Sequence, residues 1–328
     1  MNPPHIAHQR PELAGSGEHS PAVFEKLPVM LQSPESPRWH QDAFWYCDYA
    51  ARTVNRMVPG QAPEVVLTME GTPSALGFMP DDSLIIAGMH QKKLFRYHDG
   101  ALFVHAEIPV RDGDWMNDMV VDGDGRAYVG IRSTKVSPAV HHREPGGPDS
   151  VVIVEPDGKR ISAIEDICSP NGSTVSPDGR TFTLCEIYAR RILQFDRDQD
   201  GRLSNKRVLV QFERTWPDGL ALDAQGAVWA CSPYSGEVVR VLANGDVDQR
   251  YQLPGAVASI LGGEDRRTLF VVATDVRHLP SCDPSRLHGS LYQGPGRETG
   301  CRSAYDPGEV DTSAMLVTRV DVPGAGWP

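Results

Sequence analysis

The chain of 328 residues lacks any run of basic residues, and its formal net charge is -11 with a pI near 5.4. An acidic surface without a basic stripe repels phosphate backbones and anionic headgroups, which excludes nucleic acid and membrane as expected partners. No stretch reaches the roughly 18 consecutive apolar residues of a membrane span. The six cysteines (Cys47, Cys168, Cys185, Cys231, Cys282, Cys301) lie far apart and form no C-x-x-C pair. That spacing excludes a disulfide framework and a cysteine-built zinc module. A G-x-G-x-x-G turn, a Walker loop, a G-x-S-x-G elbow and an H-E-x-x-H pair are also missing, which argues against nucleotide binding, serine hydrolysis and zincin chemistry. Residues 1–21 are polar, carry two proline-containing clusters and have no apolar run, so they read as a disordered lead-in rather than a signal peptide. A soluble, cytoplasmic protein acting on a small molecule is the expectation. Residues 22–328 are expected to form one domain.

Long stretches of helical period are missing too. In their place are short β-branched and aromatic runs separated by Asp-Gly, Gly-Asp and Pro-Asp turns. One unit recurs: a strand, a turn rich in Asp and Gly, then a second strand. Taking Trp39, Phe78, Val121, Val175, Leu222 and Leu261 as equivalent, the steps are 39, 43, 54, 47 and 39 residues. Third strands follow near Val54, Phe95, Val152, Leu193 and Val239. Repeats of about 40 to 50 residues with several strands each are the pattern of propeller blades, because a lone small sheet cannot bury its faces and must stack on neighbours. Six copies predict an all-β, six-bladed β-propeller with a central metal site. The runs Phe24–Leu31 and Met315–Val322 are expected strands outside the repeat that pair to close the ring. Two segments, 132–149 and 281–313, break the rhythm as polar or Gly/Pro-rich loops that could cover the rim.

Four residues before each equivalent position stand Glu35, Ser74, Asn117, Asn171, Asp218 and Val257. Four of these six are strong oxygen donors at one repeat phase. In a propeller the first strand of every blade lines the central channel, so these residues are expected to converge there. Two carboxylates and two amides suit one hard divalent cation, calcium first, with magnesium, manganese or zinc as alternatives. An isolated Asn or Asp at such a place would more simply cap a turn. The run Asp196-x-Asp198-x-Asp200-Gly201 imitates an EF-hand start, but its twelfth position is Arg207 instead of Glu and no helices flank it. It is expected to be a hairpin turn.

The segments Ser33-Pro34-Glu35-Ser36-Pro37-Arg38-Trp39, Asn117-Asp118, Pro170-Asn171-Gly172 with Ser176-Pro177-Asp178-Gly179, and Pro217-Asp218-Gly219 resemble the signature runs of the SMP-30/gluconolactonase group, in order along most of the chain. The resemblance implies a six-bladed propeller with one divalent metal held by Glu35, Asn171 and Asp218. It also implies that Asn117 lies beside metal and substrate, and that Asp218 is the general base of a lactone hydrolase. The chain departs from the pattern in three places. Trp115, followed by Met116, stands where the group often carries an Arg that grips sugar hydroxyls. Ser36 and Met119 replace glycines. Trp115 and Met116 are therefore expected to face an apolar or aromatic lactone rather than a sugar lactone. Other electrophiles (a phosphotriester, an epoxide, a cyclisation) and a non-catalytic metal-binding propeller are the competing readings.

Overall fold

A computed structural model describes residues 24–27, 31–133, 149–273 and 316–321. The lead-in 1–21, most of the first rim loop and the whole of 281–313, with Cys282 and Cys301, lie outside the described residues. Every described element is a strand, and the strands form six four-stranded antiparallel sheets. Five sheets are continuous in sequence. The first, for example, runs through Pro34–His40, Ala43–Asp48, Thr53–Met57 and Glu64–Thr68. The last joins both ends of the chain: Ala256–Gly262 and Thr268–Ala273 pair on to Leu316–Asp321, which in turn pairs with Glu25–Lys26. The innermost strands are Pro34–His40, Pro73–Phe78, Trp115–Val121, Pro170–Val175, Leu220–Leu222 and Ala256–Gly262, here numbered as blades 1 to 6. Each touches the next, and the last touches the first. The chain is an all-β propeller.

The packing explains why the second strand of each blade is almost wholly apolar. Leu84–Gly88 and Val228–Ser232 are buried along their whole length because both faces of the strand meet a neighbouring sheet. The core is accordingly divided into six apolar layers, one in each gap between blades. Between blades 3 and 4 the Tyr128 and Phe182 rings stack at 5.1 Å. Between blades 6 and 1 Trp39 stacks on Phe270 at 5.2 Å. At roughly 25 cal/mol per Å² of apolar surface, each such layer stabilises the ring by several kcal/mol. The outermost strands are the reverse case. Glu64–Thr68 and Ala101–Glu107 face solvent on much of their surface, which is why their sequences show little apolar periodicity. Among the described residues, no helix is long and apolar enough to cross a membrane.

Asp196, Asp198 and Asp200 belong to the hairpin between Arg191–Arg197 and Leu203–Gln211. Asp196 pairs with Arg207 at 2.6 Å and Asp198 accepts the Arg202 backbone N–H at 2.8 Å. Their oxygens serve the turn, as expected of a hairpin.

Candidate active site

Five of the six innermost strands share one irregularity. Their pairing with the second strand slips between Glu35 and Arg38, Pro73 and Ala75, Met116 and Met119, Pro170 and Ser173, and Ala256 and Ala258. These slips are β-bulges, which break the strict in-out alternation and re-aim side chains. Ser74, Asn117, Asn171 and Val257 lie inside them, Glu35 is the last paired residue before its slip, and Asp218 stands just before its strand at the same phase. The repeat position singled out in the sequence is thus the position where the fold interrupts the in-out alternation.

The approach to the bulges is anchored by buried polar groups. Asp48 accepts the backbone N–H of Gln32 at 2.9 Å and of Ser33 at 3.1 Å, which holds the run into Glu35. Asp149 accepts Ser169 N–H at 2.7 Å, and Glu186 accepts Cys168 N–H at 2.7 Å, which together place Pro170 and Asn171. Ser232 accepts Trp216 N–H at 2.9 Å ahead of Asp218. Asn117 is buried, and its Nδ2 donates to the Pro170 carbonyl at 3.0 Å, so its amide oxygen points away from blade 4. Gly172 and Gly219 are required by close approach. A Cβ on Gly172 would lie 2.5 Å from the Leu220 nitrogen, and one on Gly219 would lie 2.4 Å from the Ala258 Cβ. The Gly172 N–H donates to Asp218 O at 3.1 Å, and the Gly219 N–H to Val257 O at 2.8 Å, stitching blades 4, 5 and 6 around the axis. Ser36 does the same work with a hydroxyl: its Oγ accepts Leu76 N–H at 3.0 Å and donates to Asp118 at 3.3 Å.

The carboxylates lie close enough to feel one another's charge. Burial pushes the Glu35 carboxyl well above the usual carboxylate range, and the charges of Asp218 and Asp118 push it further, against a hydrogen bond from the Ser36 backbone. Burial also pushes Asp218 up to about 7; the Arg132 guanidinium and a side-chain hydrogen bond from Asn171 pull against burial, while Asp118 adds to it. Glu35, Asn171 and Asp218 keep part of their surface open to solvent. The structure therefore brings Glu35, Asn171 and Asp218 into one channel, with Asn117 on the adjoining bulge. Ser74 instead donates to the Ala87 carbonyl at 3.3 Å, and Val257 packs in the layer between blades 6 and 1.

Among the described residues, no three His, Cys, Asp or Glu side chains form a metal-ligand group. Asp118, the third carboxylate, is committed to protein donors: Arg38 at 3.4 Å, Ser36 Oγ and the Met119 N–H at 2.8 Å. The donors left facing the channel are two carboxylates and two amides. Their chemistry fits a hard divalent cation, which would balance two carboxylates that otherwise oppose each other's ionisation. Cys47, Cys185 and Cys231 lie behind the site, where burial pushes each thiol up, so they stay neutral and offer no thiolate.

Met116 does not line the channel. Its side chain is fully buried in the layer between blades 2 and 3, beside Met119 and Ile131. Strand alternation sends it to the face opposite Trp115, so the expectation that it contacts substrate is corrected. Trp115 is partly exposed and pairs in register with Arg132 on the neighbouring strand. The Arg132 guanidinium lies 5.4 Å from the Trp115 ring and 5.3 Å from the Tyr188 ring of blade 4. Trp216 and Tyr234 add an edge-to-face pair at 6.3 Å on the same rim.

Sequence reasoning missed Asp118, Arg38 and Arg132. The signal for Asp118 was available: a bulge turns two successive residues inward, so the neighbour of Asn117 belongs to the channel as well. Arg132 had no such signal, because its place depends on cross-strand pairing with Trp115.

The SMP-30/Gluconolactonase/LRE-like region matches residues 33–275. Regucalcin of Xenopus laevis is 24% identical over 248 residues, covering 73% of this chain and 82% of its own. A 6-deoxy-6-sulfogluconolactonase of Pseudomonas putida is 25% identical over 316 residues, covering 93% and 98%. The crystal structure of a calcium-binding protein, regucalcin, from Agrobacterium tumefaciens superposes with a TM-score of 0.70 at 21% identity, covering 93% and 96%. With its fold, its bulge-borne channel residues and a family match over most of its length, the chain belongs to the SMP-30/gluconolactonase/LRE-like family.

Proposed function

We propose that the protein is a metal-dependent hydrolase that opens a lactone or similar cyclic ester. The observation that carries this reading is that Glu35 and Asp218 feel one another's charge, with Asn171 hydrogen-bonded to Asp218 and Asn117 at the same phase of a neighbouring blade. Glu35, Asn171 and Asp218 would hold one divalent cation, calcium first, and Asn117 would sit beside it; magnesium, manganese and zinc accept the same donors. When bound, the cation supplies Lewis-acid polarisation of the ester carbonyl. The name of the Agrobacterium relative, a calcium-binding protein, supports the metal, and that of the Pseudomonas relative, a lactonase, supports the reaction class.

Asp218 is the proposed general base. Its carboxylate takes a proton from a water that attacks the carbonyl carbon, and the ring oxygen departs as the alcohol of a hydroxy acid. Asn171 orients that carboxylate through its side-chain hydrogen bond. Glu35 holds charge opposite and is not asked to move a proton. The aromatic rim of Trp115, Tyr188, Trp216 and Tyr234 favours an aromatic or apolar ring over a polyol. Asp218→Asn keeps an oxygen donor of the same shape and removes the base. With excess calcium it is expected to fold and bind the ion while its lactonase rate falls at least about 100-fold. Wild-type turnover in the metal-loaded variant would refute the assignment.

A further inference from the structure

We infer that Arg132 selects, among lactones, those that carry an anionic substituent such as a carboxylate. The inference rests on the ring-opening reading of the same channel and names its substrate class. Arg132 ends the second strand of blade 3, at the level where the innermost strands bear their channel residues. Its guanidinium is placed by contacts from neighbouring blades. Trp115 lies under it, Tyr188 lies beside it and hydrogen-bonds it, and Ser169 Oγ accepts from its Nη2 at 3.2 Å. Tyr234 of blade 5 is also within electrostatic reach.

A guanidinium has five N–H donors in a rigid fork, and that fork matches a carboxylate in two-pronged fashion. The protein partners shown here do not use the fork in that way. Among the described residues no carboxylate lies within ion-pairing distance, 4.0 Å, of Arg132. The nearest acidic influence, Asp149, spends its oxygens on the backbone N–H groups of Ser133 at 2.8 Å and Ser169 at 2.7 Å. Arg132 keeps part of its surface accessible, and its charge is felt at the Asp218 carboxyl. A cation set between aromatic faces, partly accessible and within electrostatic range of the proposed base, is suited to receive an anion on the reacting molecule. Trp115 then has two tasks: it stacks on the substrate ring, and it fixes the guanidinium that reads the charge.

The test uses full-length, calcium-loaded protein and a benzo-fused lactone, phthalide, bearing either a carboxylate or the corresponding carboxamide. Wild type is expected to favour the carboxylate in kcat/KM by at least about tenfold, the scale of one charge-assisted pair. Arg132→Gln is expected to erase that ratio mainly through KM, and Arg132→Lys to restore part of it. A ratio that is already near one in wild type, or unchanged in Arg132→Gln, overturns the inference. Binding of phthalan carboxylate, a cyclic ether with no ester to open, is measured by calorimetry on the same proteins. Binding lost in Arg132→Gln upholds the anion site even if no lactone turns over, in which case the ring-opening reading alone fails. Equal binding in wild type and Arg132→Gln sinks the anion site. Metal content and melting temperature of the variants, expected to match wild type, separate recognition from folding.

Discussion

Replacing Asp218 by Asn should make the metal-free protein more stable while it makes the enzyme inactive, and the size of the gain follows from the burial of one carboxylate. The Asp218 carboxyl is pushed from 3.8 to about 7 in the folded protein, whereas in the unfolded chain it ionises normally. A raised acid stabilises nothing above its unfolded value: below about pH 4 both states are protonated and there is no cost. As pH rises toward 7, the folded state must either keep a proton or bear a buried charge, and stability is lost. Above about pH 7 the loss levels off. At about 1.36 kcal/mol per pH unit, the full displacement corresponds to about 4 kcal/mol, and the solvent reaching this channel reduces it to about 2 kcal/mol. The neutral amide introduced by Asp218→Asn carries no such cost, and the neighbouring Glu35 is relieved of a facing charge as well. For a domain of this size about 2 kcal/mol corresponds to roughly 4 °C in Tm. The assay is thermal unfolding by circular dichroism after chelation, at fixed ionic strength, from pH 5 to 8. The variant should melt about 4 °C above wild type at pH 8, and the gap should narrow toward pH 5. Added calcium should raise wild type more at pH 8 than at pH 5, because the ion supplies the missing positive charge only where the carboxylates are ionised. A wild type that melts identically at pH 5 and pH 8 without metal, with no gain in the variant, would refute the electrostatic account of the site.

Purified protein should hold close to one equivalent of divalent metal, and Glu35→Ala or Asn171→Ala should lower that content in elemental analysis; full occupancy in both variants would remove these residues from the site. Trp115→Ala should lower kcat/KM on aromatic lactones by roughly tenfold while changing gluconolactone turnover little, since an indole face is worth about 1 to 1.5 kcal/mol against a ring and offers nothing specific to hydroxyls. An equal loss on both substrates would make Trp115 a packing residue only. Gly172→Ala should destabilise by about 2 kcal/mol or more, because the added carbon meets backbone 2.5 Å away and backbone cannot rotate aside; a variant with an unchanged melting curve would show that blades 4 and 5 can separate at the axis.

Much of this was legible in the sequence because a propeller repeats. The turns at Asp81-Asp82, Asp122-Gly123, Asp178-Gly179 and Asp223-Ala224 set a phase, and strands on either side of them followed from short-range chemistry. The third strands near Val54, Val152 and Val239 were legible because most of each is buried and carries β-branched residues such as Val54, Val151 to Val154, Val238, Val239 and Val241. The fourth strands, such as Glu64–Thr68 and Leu203–Gln211, were not, because an edge strand with one face in water tolerates almost any residue. Glu35, Asn117, Asn171 and Asp218 could be aligned by counting back from the repeat, since equivalent positions in stacked blades must point to one axis.

Counting could not say which way Met116 faces, because the bulge between Met116 and Met119 resets the alternation, and only the pairing with the next strand shows where it falls. It could not find Arg132, which stands 15 residues after Asn117 and whose partners Tyr188 and Tyr234 come from other blades. Local chemistry, repeated six times, determined the strands, the turns and the ring of oxygen donors, because each of those needs information from only one blade. The charge balance of the channel, the role of Asp118 as Arg38's partner and the guanidinium over Trp115 were decided by tertiary structure, because electrostatic energy depends on distances across the axis and those exist only once the ring has closed.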